Sequence, residues 1–424
     1  MKTYNVLFLN AYYDPEITAD SHLINDLIEE MIKTNRWKVY VSCPTPTRGI
    51  DKATAKKYSA IKKEVLLNGM LTVSRFWAPP ERKNTFLRFL RYIYCGIVQR
   101  YKCSKLKDID LIYSISTPPF QGALSCKIKS ILERKYKKKV YNVYYVEDIF
   151  PDTLISTGII KSNKGFLWNL GRKIEDYSYK NSDKILTISP GCVNNIISKG
   201  VPQNKVLLAF NWIDLSNTRN IPRSNNKLFE KFNLPRDYFY VVYAGNLGEA
   251  QNPQIIIDAA KILEDKKQIK FLIIGTGGQE DKLKKRIEEE RILNVKVFPL
   301  QPQSLISEVY SLGDLDVILC KKGLGKSALP SKTWSIMATS TPIISSFDID
   351  GDLSKIIIDS NAGFTCDAED STEFANKIIE IYNMSVDERK KMGNNGRNYA
   401  LLNHGRESCV RKIIYLFDSL VNLQ

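Results

Sequence analysis

Histidine is nearly missing from this chain: His22 and His404 are the only two among 424 residues. That scarcity excludes a histidine-rich metal centre and a pair of histidine acid–base groups. None of the eight cysteines forms a C-x-x-C pair, so the thiols point to a reducing cytosol and not to a disulfide framework. No apolar run reaches the roughly 18 residues that a bilayer-spanning helix needs. The opening apolar stretch is too short for a signal peptide and reads as a buried strand. Negative charge is in deficit as well: 62 Lys and Arg face 46 Asp and Glu, a net of +16. Residues 1–200 hold 33 basic and 18 acidic side chains, whereas residues 201–424 hold 29 and 28. An excess confined to one half implies an anionic partner for that half, such as a membrane surface, nucleic acid or a phosphorylated substrate.

What the chain has in abundance is short apolar runs alternating with helical periodicity. Residues 4–9, 39–41, 111–115, 140–146 and 184–188 read as strands, and 20–33 as a helix capped by Asp20 or Ser21. A polar stretch at 211–238 interrupts the rhythm. It restarts with strands at 240–244, 271–274, 295–298, 317–320 and 342–345 and helices at 253–264 and 279–291. This alternation predicts an α/β fold of two Rossmann-like parallel-sheet domains, residues 1–210 and 211–405, with a closing helix over 406–424.

Several segments have the composition of ligand sites. Gly275-Thr276-Gly277-Gly278 follows a strand and precedes a helix, where glycine admits a ligand to the backbone and a helix N-terminus favours phosphate. A tight turn is the plain alternative. Gly245 to Asn252 lies at the same sheet edge, with Asn246 and Gln251 as donors to a diphosphate or as members of an ordinary polar loop. Gly325-Lys326-Ser327 looks like the end of a P-loop, but Cys320 stands where the first glycine belongs. What remains is an anion cradle of Lys321, Lys322, Lys326 and Lys332 before a helix starting near Ser331, or a solvated basic loop. Glu147, Asp148 and Asp152 follow a strand and could hold an acceptor hydroxyl or cap helices. Asp314-x-Asp316 and Asp348-x-Asp350 resemble a metal-binding D-x-D pair; the first reads as a turn before a strand, and neither is assigned a metal. Residues 75–107 interleave basic and aromatic side chains as interfacial membrane segments do. Leu87, Leu90, Ile93, Ile97 and Val98 there would also make a core-facing stripe.

In order and spacing these segments resemble the retaining family 4 glycosyltransferases of the GT-B fold. Within that family the chain is most similar to the WbuB-like and colanic-acid-type enzymes of bacterial surface polysaccharide assembly. The loops at 245–251 and 275–278, Leu329-Pro330-Ser331-Lys332, the segments 147–152 and 188–191 and the closing helix carry the resemblance. It implies two domains facing a central cleft, with the closing helix crossing back to the N-terminal one. It further implies a UDP-sugar donor on the C-terminal domain, lined by Gly245, Asn246, Gln251, Gly275, Gly277, Lys326, Ser327, Pro330, Ser331 and Ser335. Lys332 would bind the diphosphate and Asp148 would orient the acceptor or the reacting sugar, as the catalytic groups. A polyprenyl-diphosphate-linked saccharide acceptor would lie on the N-terminal domain with Glu16, Thr18 and Asp152.

The transferred sugar implied is an N-acetylated or deoxy hexose destined for capsule, O-antigen or exopolysaccharide, with no cofactor and no metal. The protein would be peripheral on the cytoplasmic face of the bacterial cell membrane, its basic half against anionic lipid, with no nucleic-acid partner. The family's Glu-x7-Glu positions hold Ser327 and Ser335, and a hydroxyl bonds a ribose less strongly than a carboxylate. Two readings compete. One is a UDP-sugar 2-epimerase of the same fold, which the scarcity of histidine argues against. The other is a weakly catalytic nucleotide-sugar-binding scaffold, which the missing glutamates suggest.

Overall fold

A computed structural model describes residues 2–16, 18, 21–81, 85–156, 160, 162–213, 218–325 and 329–422. Contacts divide the chain into two units. The first runs to Ile188 and takes in Cys192–Ala209 and the chain from Val410 on; the second holds Ser189–Gly191 and Phe210–Cys409.

The first unit is built on eight strands: β1 (Tyr4–Leu9), β2 (Trp37–Pro44), β3 (Lys63–Leu66), β4 (Leu71–Phe76), β5 (Leu111–Ile115), β6 (Tyr141–Val146), β7 (Lys184–Thr187) and β8 (Val206–Leu208). Their spatial order is β3-β4-β2-β1-β5-β6-β7-β8, parallel except for the β3–β4 pair. Parallel neighbours need crossovers, and here those are helices such as Ser21–Lys33 and Gln121–Tyr136. The second unit holds β9 (Phe239–Asn246), β10 (Ile269–Thr276), β11 (Val295–Phe298), β12 (Leu315–Leu319), β13 (Ile343–Ser346) and β14 (Gly363–Cys366). Their order is β11-β10-β9-β12-β13-β14, all parallel. Both faces of this sheet are covered, so alternate residues of one strand serve different cores. Val241, Phe271, Ile273 and Val317 pack on one side. Tyr240, Val242, Leu272, Ile274 and Ile318 pack on the other.

The closing helix Arg406–Asn422 enters the first unit's core from Val410 on. Phe417 lies against the rings of Trp37 and Tyr113, and Asp418 accepts hydrogen bonds from the Trp37 indole (3.0 Å) and Arg36 (3.2 Å).

Three elements depart from the sequence reading. The edge strand β3 and its neighbour β4, neither read as a strand from the sequence, form an antiparallel hairpin. Asp316, expected in a turn, is a fully enclosed residue of β12. The helix Thr85–Cys103 is largely inside out: Leu87, Leu90, Ile93 and Ile97, expected to face a core, are exposed, Val98 alone of that set packs on the buried Phe76, Ala78 and Cys95, and Arg91 and Gln99 are buried. The polar groups can go inside because the backbone receives them. Arg91 donates to the Pro79 carbonyl, and Gln99 donates to the carbonyls of Asn10 and Ser42. Among the described residues no helix is long and apolar enough to cross a membrane.

Candidate functional site

The carboxyl ends of parallel strands are where an open α/β sheet offers ligands its backbone. In the second unit the register sets Gly245 beside Gly275 and Asn246 beside Thr276. A Cβ on Gly275 would stand 2.0 Å from the Gly245 carbonyl oxygen, and one on Gly277 would stand 2.5 Å from that of Leu247. Both glycines therefore exist to let two loops lie in contact. The Leu247 N–H donates to Thr276 and the Gln279 N–H returns to Leu247, while the Lys321 N–H donates to the Ala250 carbonyl (2.8 Å) and adds the third loop. That third loop is pinned by Asp348, whose two oxygens accept from the N–H groups of Gly323 (2.9 Å) and Gly325 (2.8 Å). A D-x-D reading thus becomes a loop fastener. Among the described residues no cluster of His, Cys, Asp and Glu is arranged to hold a metal ion.

Lys332 is the first residue of the helix Lys332–Ala338. Its ammonium donates to the Ala244 carbonyl (2.9 Å) and lies 4.2 Å from the centre of the Tyr243 ring. Gly245 has φ +141°, a conformation that calls for glycine, and a Cβ there would fall 2.7 Å from that nitrogen at the free end of the lysine. Burial pushes the Lys332 ammonium down to about 8, opposed by the charge of Asp316. Asn246 is exposed and its amide donates to Gln251 (3.1 Å), so these two expected donor residues are neighbours. Ser331 is exposed at the start of the helix, Pro330 is half-buried and Ser335 is buried. Lys326 and Ser327 lie outside the described residues. The structure therefore brings Gly245, Asn246, Gln251, Gly275, Gly277 and Lys332 to one sheet edge.

The helix carrying Lys332 is supported from below by a residue that sequence distance hides. His404 is fully buried and stacks on Trp334 at 3.3 Å between ring centres. It is a packing group, and it lies 70 positions away in sequence, so no local signal marks it. Asp316, read as a turn residue, is misplaced for a similar reason: the strands on either side of it, β9 and β13, are not its neighbours in sequence.

In the first unit, the expected acceptor residues part company. Asp148 is exposed just beyond β6, and its N–H and that of Glu147 both donate to the Ser116 hydroxyl, which ties this loop to the end of β5. Thr18 lies beyond the end of β1, in a small depression lined also by Asn10, Tyr12 and Thr117. Glu16 turns inward instead. It is 2% exposed, its Oε1 accepts from the N–H groups of Thr47 (2.7 Å) and Arg48 (2.9 Å), and burial raises its carboxyl. Its place in the structure is that of a loop anchor. Asp152 is paired with Lys199 (3.0 Å) and accepts from Asn195 (3.0 Å), within a network that includes Glu175.

Residues 224–399 match the family model described as "Glycosyl transferases group 1". The chain is similar to the putative colanic acid biosynthesis glycosyl transferase WcaI of Escherichia coli, 29% identical over 46% of this chain and 48% of that protein. It is also similar to the probable glycosyltransferase WbjE of Pseudomonas aeruginosa, 24% identical over 58% of this chain and 60% of that one. The chain thus spans about half the length of the curated relatives it matches. Among solved structures, Anabaena HepE in complex with UDP-glucose superposes with a TM-score of 0.70 at 16% identity, covering 98% of this chain and 99% of that one. That likeness shows the fold: two Rossmann-like parallel-sheet domains of the GT-B type.

Proposed function

We propose that the chain is a glycosyltransferase of bacterial surface polysaccharide biosynthesis, of the retaining family 4. It would take a UDP-linked N-acetylated or deoxy hexose as donor and a polyprenyl-diphosphate-linked saccharide as acceptor. The observation that carries this reading is Lys332, an ammonium held against the Gly245 loop at a sheet edge where three loops meet. Departure of a nucleoside diphosphate needs its growing charge neutralised. Lys332 supplies that charge, so the reaction is expected to need no metal and no cofactor. Asp148, exposed beyond β6, is the group we assign to orienting the acceptor or the reacting sugar. The names of WcaI and WbjE support the reaction class, and the UDP-glucose of HepE supports the donor class.

Lys332→Ala should lower UDP affinity and transfer at least about tenfold, the scale of one lost charge-assisted contact. Transfer at the wild-type rate with unchanged UDP affinity would sink the assignment. Transfer should also persist in EDTA.

We further propose that the first unit docks on an anionic membrane, where a lipid-linked acceptor resides. The inside-out helix Thr85–Cys103 supports this, with Phe89 (52%) and Ile97 (65%) exposed among Arg88, Arg100 and Lys105. An apolar face rimmed by cations is what an anionic lipid surface selects.

A further inference from the structure

One apolar face of the first unit has no part in the reading above. The helix Phe166–Asn181 turns Phe166 (79%), Leu167 (58%), Leu170 and Tyr177 to solvent. Phe166, Leu170 and Tyr177 recur at helical spacing and Leu167 flanks them, so the four make one outward stripe. The inner face holds Gly171, Glu175, Ser178 and Tyr179. A contiguous apolar stripe left in water marks a contact with something outside the chain.

The rim of the stripe indicates which partner. Lys164, Lys173 and Lys180 are exposed around it. Both carboxylates of the helix are paired, Glu175 with Lys199 and Asp176 with Arg172, so neither stands alone against an anion. Lysine is depleted where proteins meet each other. On a bilayer, by contrast, its stem lies along apolar surface while the ammonium stays among anionic headgroups.

The stripe is also placed to meet the bilayer already proposed for the helix Thr85–Cys103. Both helices pack against the helix Gln121–Tyr136. Cys103 joins Leu124 and Ile128 in one cluster, and the Ser178 carbonyl accepts from the Cys126 thiol (3.7 Å). The three helices therefore form one layer on one face of the sheet. The exposed apolar residues of the flanking helices also lie toward the same end. Thr85–Cys103 follows the carboxyl end of β4, and a Cβ on Gly171 would stand 2.7 Å from the Pro151 side chain, just past the carboxyl end of β6. Asp148 lies on that same loop.

We infer that the helix Phe166–Asn181 is a second membrane-docking element, which together with Thr85–Cys103 seats the first unit on an anionic bilayer at two points and holds the Asp148 loop near the headgroups. One helix alone would leave the unit free to roll about its axis; two fix its orientation.

This inference rests on the proposal that Thr85–Cys103 docks on the membrane, and the chain's own tryptophans separate the two. Trp37, Trp212 and Trp334 are buried. Trp77 is exposed and lies against Tyr94 of the first helix, and Trp168 is half-buried on the second. The full chain is mixed with phosphatidylcholine–phosphatidylglycerol vesicles whose acyl chains carry bromine, a contact quencher of tryptophan fluorescence. Trp168→Phe leaves Trp77 to report the first helix, and Trp77→Phe leaves Trp168 to report the second. Both variants should be quenched relative to vesicles without bromine. Quenching in Trp168→Phe alone overturns the inference and leaves the first helix docked. Quenching in Trp77→Phe alone overturns the seating at two points and moves docking to the second helix. Quenching in neither overturns both proposals. Phe166→Ser combined with Leu170→Ser should weaken vesicle binding at least about fivefold, with Tm unchanged or raised. Unchanged vesicle binding in that variant overturns the inference, and a dimer lost with it in sedimentation without lipid would assign the stripe to a second copy of the chain.

Discussion

At the scale of single residues, the site is a matter of how closely two backbones approach. Gly275 is the tightest point, with the Gly245 carbonyl oxygen 2.0 Å from where its Cβ would be. Gly278 stands in the same loop with nothing within 4 Å. Gly275→Ala should therefore push the Gly245 loop off Lys332 and cost about 1–3 kcal/mol of stability, with UDP affinity reduced at least tenfold. Gly278→Ala should leave both near wild type; thermal melts and UDP titration of the two variants check this. These glycines were legible in the sequence because a strand–glycine–helix pattern is local. Lys332 was legible too, as a cation at a helix start. Glu16 and Asp316 were not. Glu16 is claimed by the N–H groups of Thr47 and Arg48, some thirty positions on, and Asp316 is enclosed by strands that meet only in the sheet.

At the scale of elements, the helix bearing Lys332 is held in place by the helix Val386–His404. Gly393 allows the approach, since a Cβ there would fall 1.8 Å from the Ser340 carbonyl oxygen. The supporting helix starts with a reciprocal cap in which the Ser385 hydroxyl accepts from the Glu388 N–H and the Glu388 carboxylate accepts from the Ser385 N–H. Ser385→Ala should cost about 1 kcal/mol, seen as a lower Tm with UDP affinity unchanged at saturating fold. The helix Thr85–Cys103 teaches the opposite lesson about patterns. Its periodicity announced a helix correctly, but amphipathicity cannot say which face turns inward. Carbonyls of Asn10, Ser42 and Pro79 decided that by receiving Gln99 and Arg91. Replacing Phe89 and Ile97 together by serine should weaken binding to anionic vesicles severalfold while leaving Tm unchanged or slightly raised, because the apolar surface removed is already in water.

At the scale of the whole molecule, the charge asymmetry becomes specific. The second half, which carries the candidate donor site, is close to neutral, so a diphosphate is not the reason for the +16. The basic half carries the inside-out helix. Vesicle binding by the full chain should therefore require anionic lipid and decline as salt shortens the Debye length to a few ångströms; binding indifferent to salt would leave the excess as a solvated surface. Mass spectrometry of the lipid-linked intermediates that accumulate without this protein should show a saccharide short by one sugar. The size of the missing increment would identify that sugar.

The return of the helix Arg406–Asn422 to the first unit also has a consequence for synthesis. The strands of the first unit precede the second unit in the chain, and the helix that completes its core follows it. Until Phe417 and Asp418 have been made, Trp37 and Tyr113 lack Phe417, and the Trp37 indole lacks its acceptor on Asp418. The whole second unit must therefore be made, and can be folding, before the earlier sheet closes over its own core. A nascent chain arrested beyond Cys409 but short of Phe417 would present an open apolar pocket at Trp37, a state that chaperones rather than the finished fold would have to cover.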